Sequence, residues 1–284
     1  MAHRRYLIVF LFLCTLAVAL IKTASAFPAS SFSQHYSNGY NDWYDNWEID
    51  RNDAGTNGEL PGYLPNLAYE TLGDNKELAY SIGESFQNSY PSTTDRAVAI
   101  LKYVQTWTYY AYDSDTFFRN GVAQDEWAQN ADEFAHAFNQ STGVTAPGDC
   151  EDMAFLCGTI YVGAGFDAAV IDATDHCALL IWLPEFSNAN YYWDINDGRG
   201  TGWIWVEATG STNPLGWTPD DFADGGWTAY PITNSSQFLT NPQGFQPNSS
   251  STSTSSSSDL DVLGIIVSII FAVIVILIRL TRTR

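Results

Sequence analysis

"GDCEDMAFLCGTIYVGAGFDAAVIDATDHCALLIWL", residues 148–183, is the stretch that decides the fold. Its first half predicts an α-helix, because Asp149 is a good N-cap residue and apolar residues then recur at helical spacing. Gly163 and Gly165 end this helix, since glycine is favoured just past a helix C-terminus. Cys150 lies in the first turn, on one stripe with Met153, Leu156, Cys157, Ile160, Tyr161 and Ala164.

The second half predicts two strands, residues 167–173 and 176–183, joined by a turn of polar residues. A third strand is predicted at residues 202–209. Both faces of 176–183 are apolar, which is typical of a strand covered on both sides. Upstream, a helix is predicted from Asp95 and another over residues 125–140. Helices followed by strands predict an α+β domain in which helices pack on an antiparallel sheet.

The helix from Asp95 has a well-defined apolar stripe. It runs through Ala97, Ile100, Leu101, Val104 and Trp107 and continues to Tyr110 or Ala111.

Residues 1–26 have the pattern of a secretory signal peptide. Three basic or histidine side chains are followed by an apolar run and then by the small-residue sequence "ASA" at 24–26. The apolar run is somewhat long for a signal peptide, so an uncleaved N-terminal anchor is the alternative. In both cases the segment is excluded from the folded domain.

The C-terminus predicts one transmembrane helix over residues 260–278, because 262–278 carry no charge and are just long enough to span a bilayer. Arginines in the tail 279–284 mark the cytoplasmic side. The Ser/Thr-rich residues 233–259 predict a solvated stalk. The protein is therefore expected in the cell membrane as a single-pass protein with a large extracellular part. In that part, residues 27–94 form an N-terminal region that packs on a core of residues 95–232.

The exported part is strongly acidic. Residues 27–258 hold 30 of the 32 acidic residues and six of the 12 basic residues, a net charge of −24. Such a surface repels nucleic acid, so nucleic-acid binding is excluded. The sequons at Asn139, Asn234 and Asn248 suit an exported glycoprotein.

Three cysteines remain after signal removal, and an odd number in an exported protein leaves at least one thiol unpaired. Cys150 is the candidate for chemistry, because the positive end of a helix favours a thiolate. The acidic residues on either side of it oppose a thiolate. An imidazole partner would decide between these effects, and His176 at the start of its strand is the candidate. Glu207, an acid at the end of an apolar strand, is the candidate for orienting that imidazole.

At these residues the sequence resembles the transglutaminase-like superfamily, and most closely its exported microbial members that are taken to be thiol peptidases. The motifs that carry the resemblance are "GDCEDMAFL", "GFDAAVI", "DHCALLIW", "WIWVEATG" and "GWTPDDF", which lie within residues 95–225. Cys150, His176 and Glu207 match the family's Cys, His and Asp/Glu in the family's order, and Thr209 also fits. Cys177 departs from the family, in which an aromatic residue commonly follows the histidine.

The resemblance implies a papain-like core with Cys150 as nucleophile, His176 as base and then acid, and Glu207 as the residue that orients the imidazole. An acyl-enzyme would be resolved by water or by an amine, so the substrate is expected to be a protein or peptide. Thiol peptidase or amidase activity is favoured over acyl transfer. No cofactor and no metal is assigned.

Several alternatives remain open from the residues alone. Cys150 could be a small buried hydrophobe, and Cys157 and Cys177 are either core residues or a disulfide. A zinc site would use the three cysteines and His176, but none of the cysteines has C-x-x-C spacing. Asp194 or Asp197 could replace Glu207 as the acid. The alternative function is a non-catalytic surface module that binds partners or supports the cell envelope.

Overall fold

A computed structural model describes residues 34–37, 42–45, 49–52, 63, 78–119, 121–232, 244–247 and 252–253. The predicted signal peptide (1–26), transmembrane helix (260–278) and basic tail (279–284) lie outside these residues. Within the described ranges, no helix has both the length and the apolar character needed to cross a bilayer.

Helices dominate the first half of the described chain and strands the second half. The helices are α1 Leu78–Ser89, α2 Thr93–Trp107, α3 Asp113–Thr116, α4 Ala131–Ala137 and α5 Cys150–Gly163, and a 3-10 turn spans Asp220–Phe222. The strands are β1 Gln34–Ser37, β2 Asp42–Asp45, β3 Thr108–Tyr110, β4 Phe118–Arg119, β5 Val122–Ala123, β6 Ala146–Gly148, β7 Ala168–Ala173, β8 His176–Trp182, β9 Tyr191–Tyr192, β10 Trp203–Val206, β11 Thr228–Pro231 and β12 Thr252–Ser253.

The main sheet has four strands in the order β10–β8–β7–β11, and each strand is antiparallel to its neighbours. The predicted α+β class with an antiparallel sheet is therefore confirmed. β7 and β8 form a hairpin in which Ala173 pairs with His176, so only Thr174 and Asp175 make the turn. Asp175 has φ of 54°, a left-handed conformation that aspartate tolerates better than most residues. This tight turn fixes His176 at the first position of β8.

The two faces of the sheet carry separate apolar clusters. Cys177, Leu179 and Ile181 belong to the cluster that includes α5. The alternate residues of β8, Ala178 and Leu180, belong to a tryptophan-rich cluster on the other face, with Trp193, Trp203, Trp205 and Trp227. Side chains alternate along a strand. The prediction that β8 is covered on both sides is therefore confirmed, and Cys177 lies on the α5 side of the sheet.

α5 is the helix that the sequence predicts after Asp149, and it is buried along nearly its whole length. Two glycines bring its backbone against that of α1. A Cβ atom at Gly83 would lie 2.1 Å from the carbonyl oxygen of Ile160, and one at Gly163 would lie 2.2 Å from that of Tyr80. No side chain fits between the two helices at these points, so α1 is held directly against α5.

The boundaries of two helices differ from the prediction. α2 begins at Thr93, because Ser92 caps it by accepting a hydrogen bond from the Asp95 N–H at 3.3 Å. It ends at Trp107, where the chain extends into β3 and pairs in parallel with β6. The extension of its apolar stripe to Tyr110 or Ala111 was therefore wrong, because Tyr110 is a strand residue.

The helix predicted over residues 125–140 was too long, because α4 covers only Ala131–Ala137. Asn130 sets its start: its Oδ1 accepts hydrogen bonds from the backbone N–H groups of Asp132 and Glu133, at 3.0 and 2.9 Å. Glu133 Oε2 accepts the Asn130 N–H in return at 3.1 Å. The residues before Asn130 bond to other segments, since the Ala128 N–H donates to the Arg51 carbonyl at 2.9 Å.

Parts of the segment predicted as a stalk, residues 233–259, contact the domain. Phe245 and Ala229 exchange backbone hydrogen bonds of 2.8 and 2.7 Å, and Phe245 packs against the tryptophan-rich cluster. β12 pairs with β9. Phe245 is an aromatic residue in a largely polar segment, which explains why this point of the segment is anchored on the domain.

Gly83→Ala is predicted to destabilise the domain. The added methyl group meets backbone atoms that cannot rotate away, and overpacking of this kind costs about 1–3 kcal/mol. A helical Gly→Ala change would otherwise stabilise by about 1 kcal/mol. The measurement is the free energy of unfolding by urea denaturation, with Glu84→Ala on the exposed side of the same helix as control. An equal or higher stability of Gly83→Ala would contradict the close contact between α1 and α5.

Candidate active site

The N-terminus of α5 is held in place by a buried carboxylate. Asp152 Oδ1 and Oδ2 accept hydrogen bonds from the Gln129 backbone N–H and side-chain Nε2, both at 2.6 Å. The chain that leads into the helix is held by β6 and by a hydrogen bond of 3.1 Å from the Ala111 N–H to the Gly148 carbonyl. Cys150, the first residue of α5, therefore has a fixed backbone and a partly exposed side chain.

His176 and Glu207 form a direct contact. His176 Nε2 lies 2.9 Å from Glu207 Oε2, and only 17% of the histidine side chain and 4% of the glutamate side chain are exposed. This contact occupies one ring nitrogen and leaves Nδ1 for another partner. The geometry is that of a carboxylate that fixes the orientation and tautomer of an imidazole.

Glu207 directly follows β10, and its carboxylate is held by residues close to it in the chain. Oε2 also accepts a hydrogen bond from Trp205 Nε1 at 3.2 Å, and Oε1 accepts from the Thr209 hydroxyl at 2.5 Å and the Thr209 N–H at 3.2 Å. Burial alone would raise the pKa of Glu207, but the bonds from His176, Thr209 and Trp205 outweigh it and lower the pKa. Glu207 is therefore an ionised carboxylate, although it is buried.

The imidazole of His176 is also stacked on aromatic rings. Its ring centroid lies 5.1 Å from that of Phe222 with the planes 12° apart, and Phe222 in turn stacks on Trp205 at 5.5 Å. Burial by itself would lower the pKa of His176. The neighbouring Cys150, together with the hydrogen bond to Glu207 and the charge of Glu207, outweighs burial and raises the pKa to about 9. The surroundings of the ring therefore favour its protonated form.

Cys150 and His176 line the same cleft, which has a volume of about 410 Å³. The Cys150 thiol donates to Glu151 Oε2 at 3.3 Å. A second groove of about 340 Å³ lies on the other side of His176 and is lined by Glu207, Trp217 and Phe222 among others. The structure thus brings together the three residues that the sequence singles out, Cys150, His176 and Glu207.

The other candidates lie elsewhere. Cys157 and Cys177 are buried free thiols, so of the two alternatives the core location is the one seen. Burial raises the pKa of both thiols, which makes them poor nucleophiles.

The alternative acids, Asp194 and Asp197, bond within a turn. Asp197 accepts hydrogen bonds from Arg199 and Trp203, at 2.7 and 3.0 Å, and Asp194 Oδ1 accepts the Asn196 N–H at 2.8 Å. These two acids are turn residues, and Glu207 is the acid beside His176.

A cluster of acids, buried except for the half-buried Glu126, lies beside Cys150 and was not predicted from the sequence. One carboxylate oxygen from each of Asp113, Glu126 and Glu151 lies within 4.8 Å of the others, and the same holds for Asp113, Asp149 and Asp152. Among the described residues, these are the groups whose oxygens converge closely enough to hold a cation, and neither group includes a cysteine or histidine. The acids next to Cys150 are visible in "GDCED", but their convergence with Asp113 and Glu126 depends on the fold.

Few hydrogen bonds stabilise the ionised forms of these acids against the cost of burial. Burial, and to a smaller extent the charge of Asp149, raise the pKa of Asp113 to about 8, against the bond from the Trp127 N–H and with a further contribution from Glu126. Burial likewise raises the pKa of Glu151, where Asp152 adds to the effect, and that of Glu126. The cluster therefore favours retaining protons in the folded state.

Comparison with known proteins returned no relative: no family profile matches the chain, and no curated protein sequence matches it.

Glu207→Gln is predicted to lower the pKa of His176 from about 9 towards its ordinary value near 6.5. The change keeps the shape of the side chain and removes the negative charge that stabilises the imidazolium. The measurement is an NMR titration of the His176 ring, with Glu185→Gln on the surface as control and with His136 as an internal reference. An unchanged titration of His176 would contradict the contact with Glu207.

Asp113→Asn is predicted to change the pH dependence of stability. Because the pKa of Asp113 is raised in the folded state to about 8, folding binds a proton, and stability is lost as pH rises from about 4 to 8. Asn cannot ionise, so the free energy of unfolding of the variant relative to wild type should increase over that interval. Thermal or urea unfolding between pH 4 and 8 measures it. Asp115→Asn, an exposed acid on the same helix, should show no such trend, and a flat difference for Asp113→Asn would contradict the prediction.

Proposed function

We propose that this domain is a transglutaminase-like cysteine enzyme with a papain-like core, which acts on peptide or amide carbonyls. Cys150 is the nucleophile, His176 the general base and acid, and Glu207 the residue that positions the imidazole. The observation that carries the proposal is the 2.9 Å contact between His176 and Glu207, with Cys150 and His176 lining one cleft. The resemblance of the motifs around these residues to that superfamily supports the same assignment.

The proposed reaction begins from a thiolate–imidazolium pair. The imidazolium and the N-terminus of α5 both stabilise negative charge on Cys150 Sγ. The thiolate attacks the substrate carbonyl carbon and the carbonyl oxygen becomes an oxyanion. His176 then gives its proton to the leaving nitrogen as the C–N bond breaks, which leaves a thioester on Cys150. His176 next takes a proton from water, and the hydroxide attacks the thioester to release the acid and restore the thiolate.

The backbone N–H of Cys150 is the proposed donor to the oxyanion. It lies in the first turn of α5, where backbone N–H groups have no acceptor within the helix. Such a preorganised donor stabilises the charge that develops in the transition state. The bonds that hold Asp152 to Gln129 serve this step, because they fix the backbone at the start of the helix.

Hydrolysis and acyl transfer use the same three residues and differ in what resolves the thioester. Water gives a peptidase or amidase, which we favour, and an amine gives cross-linking. The leaving group and the incoming nucleophile would lie in the cleft that Cys150 and His176 share, against the ring nitrogen that is not bound to Glu207. This is the nitrogen through which the imidazole must exchange its proton.

A second candidate is a non-catalytic binding module. It is favoured by one observation, the hydrogen bond of 3.3 Å from the Cys150 thiol to Glu151 Oε2, because a protonated thiol is a weak nucleophile. In such a module the same cleft would hold a partner without reaction. The two candidates predict different chemistry at Cys150.

The protonation state of Cys150 is tested by alkylation with iodoacetamide at mildly acidic pH. The proposal predicts selective modification of Cys150, with a rate at least about tenfold lower in His176→Ala, because the imidazolium no longer stabilises the thiolate. Mass spectrometry of tryptic peptides measures it, and the buried Cys157 and Cys177 serve as internal controls. Equal rates in wild type and His176→Ala would favour the binding module.

The reaction itself is tested with a peptide substrate and a labelled amine. Hydrolysis without label incorporation is expected, and loss of His176 should lower kcat/KM by about 10²–10⁴-fold. Asp115→Asn should retain the wild-type rate. Incorporation of the label as the main product would replace the hydrolase assignment by acyl transfer, and no reaction in wild type with any peptide would count against both.

A further inference from the structure

The cleft that holds Cys150 and His176 is negatively charged along its wall. No lysine or arginine is among the residues that line it. Seven acidic residues line it instead: Asp113, Asp125, Glu126, Asp149, Glu151, Asp172 and Asp175. The high acidity of the domain does not by itself explain why seven acids line one cleft. The same charges on a solvated surface would cost less free energy of desolvation.

Three oxygens of this wall are buried and unpaired. Glu151 Oε1, Asp113 Oδ1 and Asp149 Oδ1 have no partner among the described residues when the acids are ionised, and Glu151 and Asp149 can bond to each other when one of them keeps its proton. Glu151 is 3% exposed and Asp113 is 1% exposed. A buried polar atom without a partner is costly, so such atoms point to a group that the free protein does not supply.

The chemistry of these oxygens fits a cation. Oxygens of Asp113, Glu126 and Glu151 converge within 4.8 Å of one another, and all of them are acceptors when ionised. In the free protein the repulsion is relieved by retained protons, as the raised pKa values of these acids show. A positively charged donor would replace those protons and satisfy the unpaired oxygens.

The mouth of the cleft suits an organic cation on a chain. Tyr110 and Tyr112 stand at the rim with their rings 5.4 Å apart, and they are 42% and 63% exposed. Aromatic rings attract ammonium and guanidinium groups and pack along the apolar stem of a lysine or arginine side chain. Tyr63, whose hydroxyl donates to Glu126 Oε1 at 2.7 Å, lines the interior.

The position of the acids relative to Cys150 indicates which part of a substrate they would meet. His176 must give its proton to the leaving nitrogen through the ring nitrogen that Glu207 leaves free, so the leaving group lies between Cys150 and His176. The converging acids line the same cleft but meet the thiol through Glu151 and not through His176. The acyl side of the substrate is the part that this arrangement leaves for them.

We propose that Asp113, Glu126 and Glu151 form a subsite for a basic side chain, lysine or arginine, on the acyl side of the peptide bond that Cys150 attacks. This inference rests on the proposed function, because the acyl side is defined by that reaction. It makes the protein selective for basic peptides. The acidic cluster would then select the substrate, which explains why acids that destabilise the folded protein are placed here.

The test uses fluorogenic peptide amides that carry lysine, norleucine or glutamate at each of the first three acyl-side positions in turn. Norleucine keeps the stem of lysine and removes the charge. At one of these positions wild type should prefer lysine over norleucine by at least about tenfold in kcat/KM. The preference should fall towards unity in the Asp113→Asn, Glu126→Gln double variant. Glu84→Gln, which removes a charge from the exposed side of α1, should retain it.

A binding measurement separates this inference from the proposed function. Fluorescence anisotropy with labelled lysine and norleucine peptides is carried out on Cys150→Ser, which cannot turn over, and on the double variant in that background. Tighter binding of the lysine peptide that depends on Asp113 and Glu126 supports the subsite even if wild type cuts no peptide. Cleavage of lysine and norleucine peptides at equal rates supports the activity and overturns the subsite, as does a lysine preference that survives in the double variant.

Both measurements are made in EDTA and again with calcium chloride. The proposal predicts a lysine preference in EDTA. Calcium that binds at these acids and abolishes the preference, or a cluster that binds calcium and not the lysine peptide, would identify a divalent-cation site and overturn the proposal.

Discussion

The burial of α5 on every side is the constraint on which the rest of the structure depends. A helix that is apolar all round must be covered all round, and here the sheet covers one side while α1, α2 and α4 cover the others. Glycines make this cover close: Gly83 and Gly163 bring α1 into backbone contact, and Gly158 leaves room for Leu179 and Ile232 from the sheet side. Since α5 cannot shift, its first residue, Cys150, is fixed relative to β8, and so is the distance from the thiol to His176.

The carboxylates of the site fall into two groups, one surrounded by hydrogen-bond donors and one with few donors. Glu207 is buried, but donors from His176, Trp205 and Thr209 surround its oxygens, so it remains ionised. The acids on the other side of Cys150 have fewer donors and leave oxygens unpaired. A protein stabilises itself by satisfying buried polar groups, and exceptions concentrate at functional sites. Of the two sets of carboxylates on either side of Cys150 and His176, the one around Glu207 therefore supports the imidazole, and the other is the set that we propose binds a basic side chain.

Local patterns predicted the elements that carry the candidate site. The helix after Asp149, the hairpin that places His176 and the strand before Glu207 are all short-range features, each fixed by a cap, a turn or a period of apolar residues. What could not be predicted depends on contacts distant in sequence. The close contact of α1 with α5 depends on Gly83 and Gly163 meeting the backbone of the other helix, and the acid cluster joins Asp113 and Glu126 to residues near position 150 through the pairing of β3 with β6 and the bonds between Gln129 and Asp152.

Two aromatic rings, Phe222 and Trp205, stack behind His176, and Phe222 is supplied by the chain between Glu207 and the last strand of the sheet. After β10 the chain returns through the Asp220–Phe222 turn, so that Phe222 covers the imidazole and packs on Trp205 before β11 closes the edge of the sheet. This cover excludes water from one face of the ring and strengthens its contact with Glu207. The opposite side of the ring faces the cleft that holds Cys150. An imidazole shielded on one side and open to a thiol on the other is oriented by packing as well as by its carboxylate. For this reason the tryptophan-rich face supports the geometry of the candidate site as well as the core.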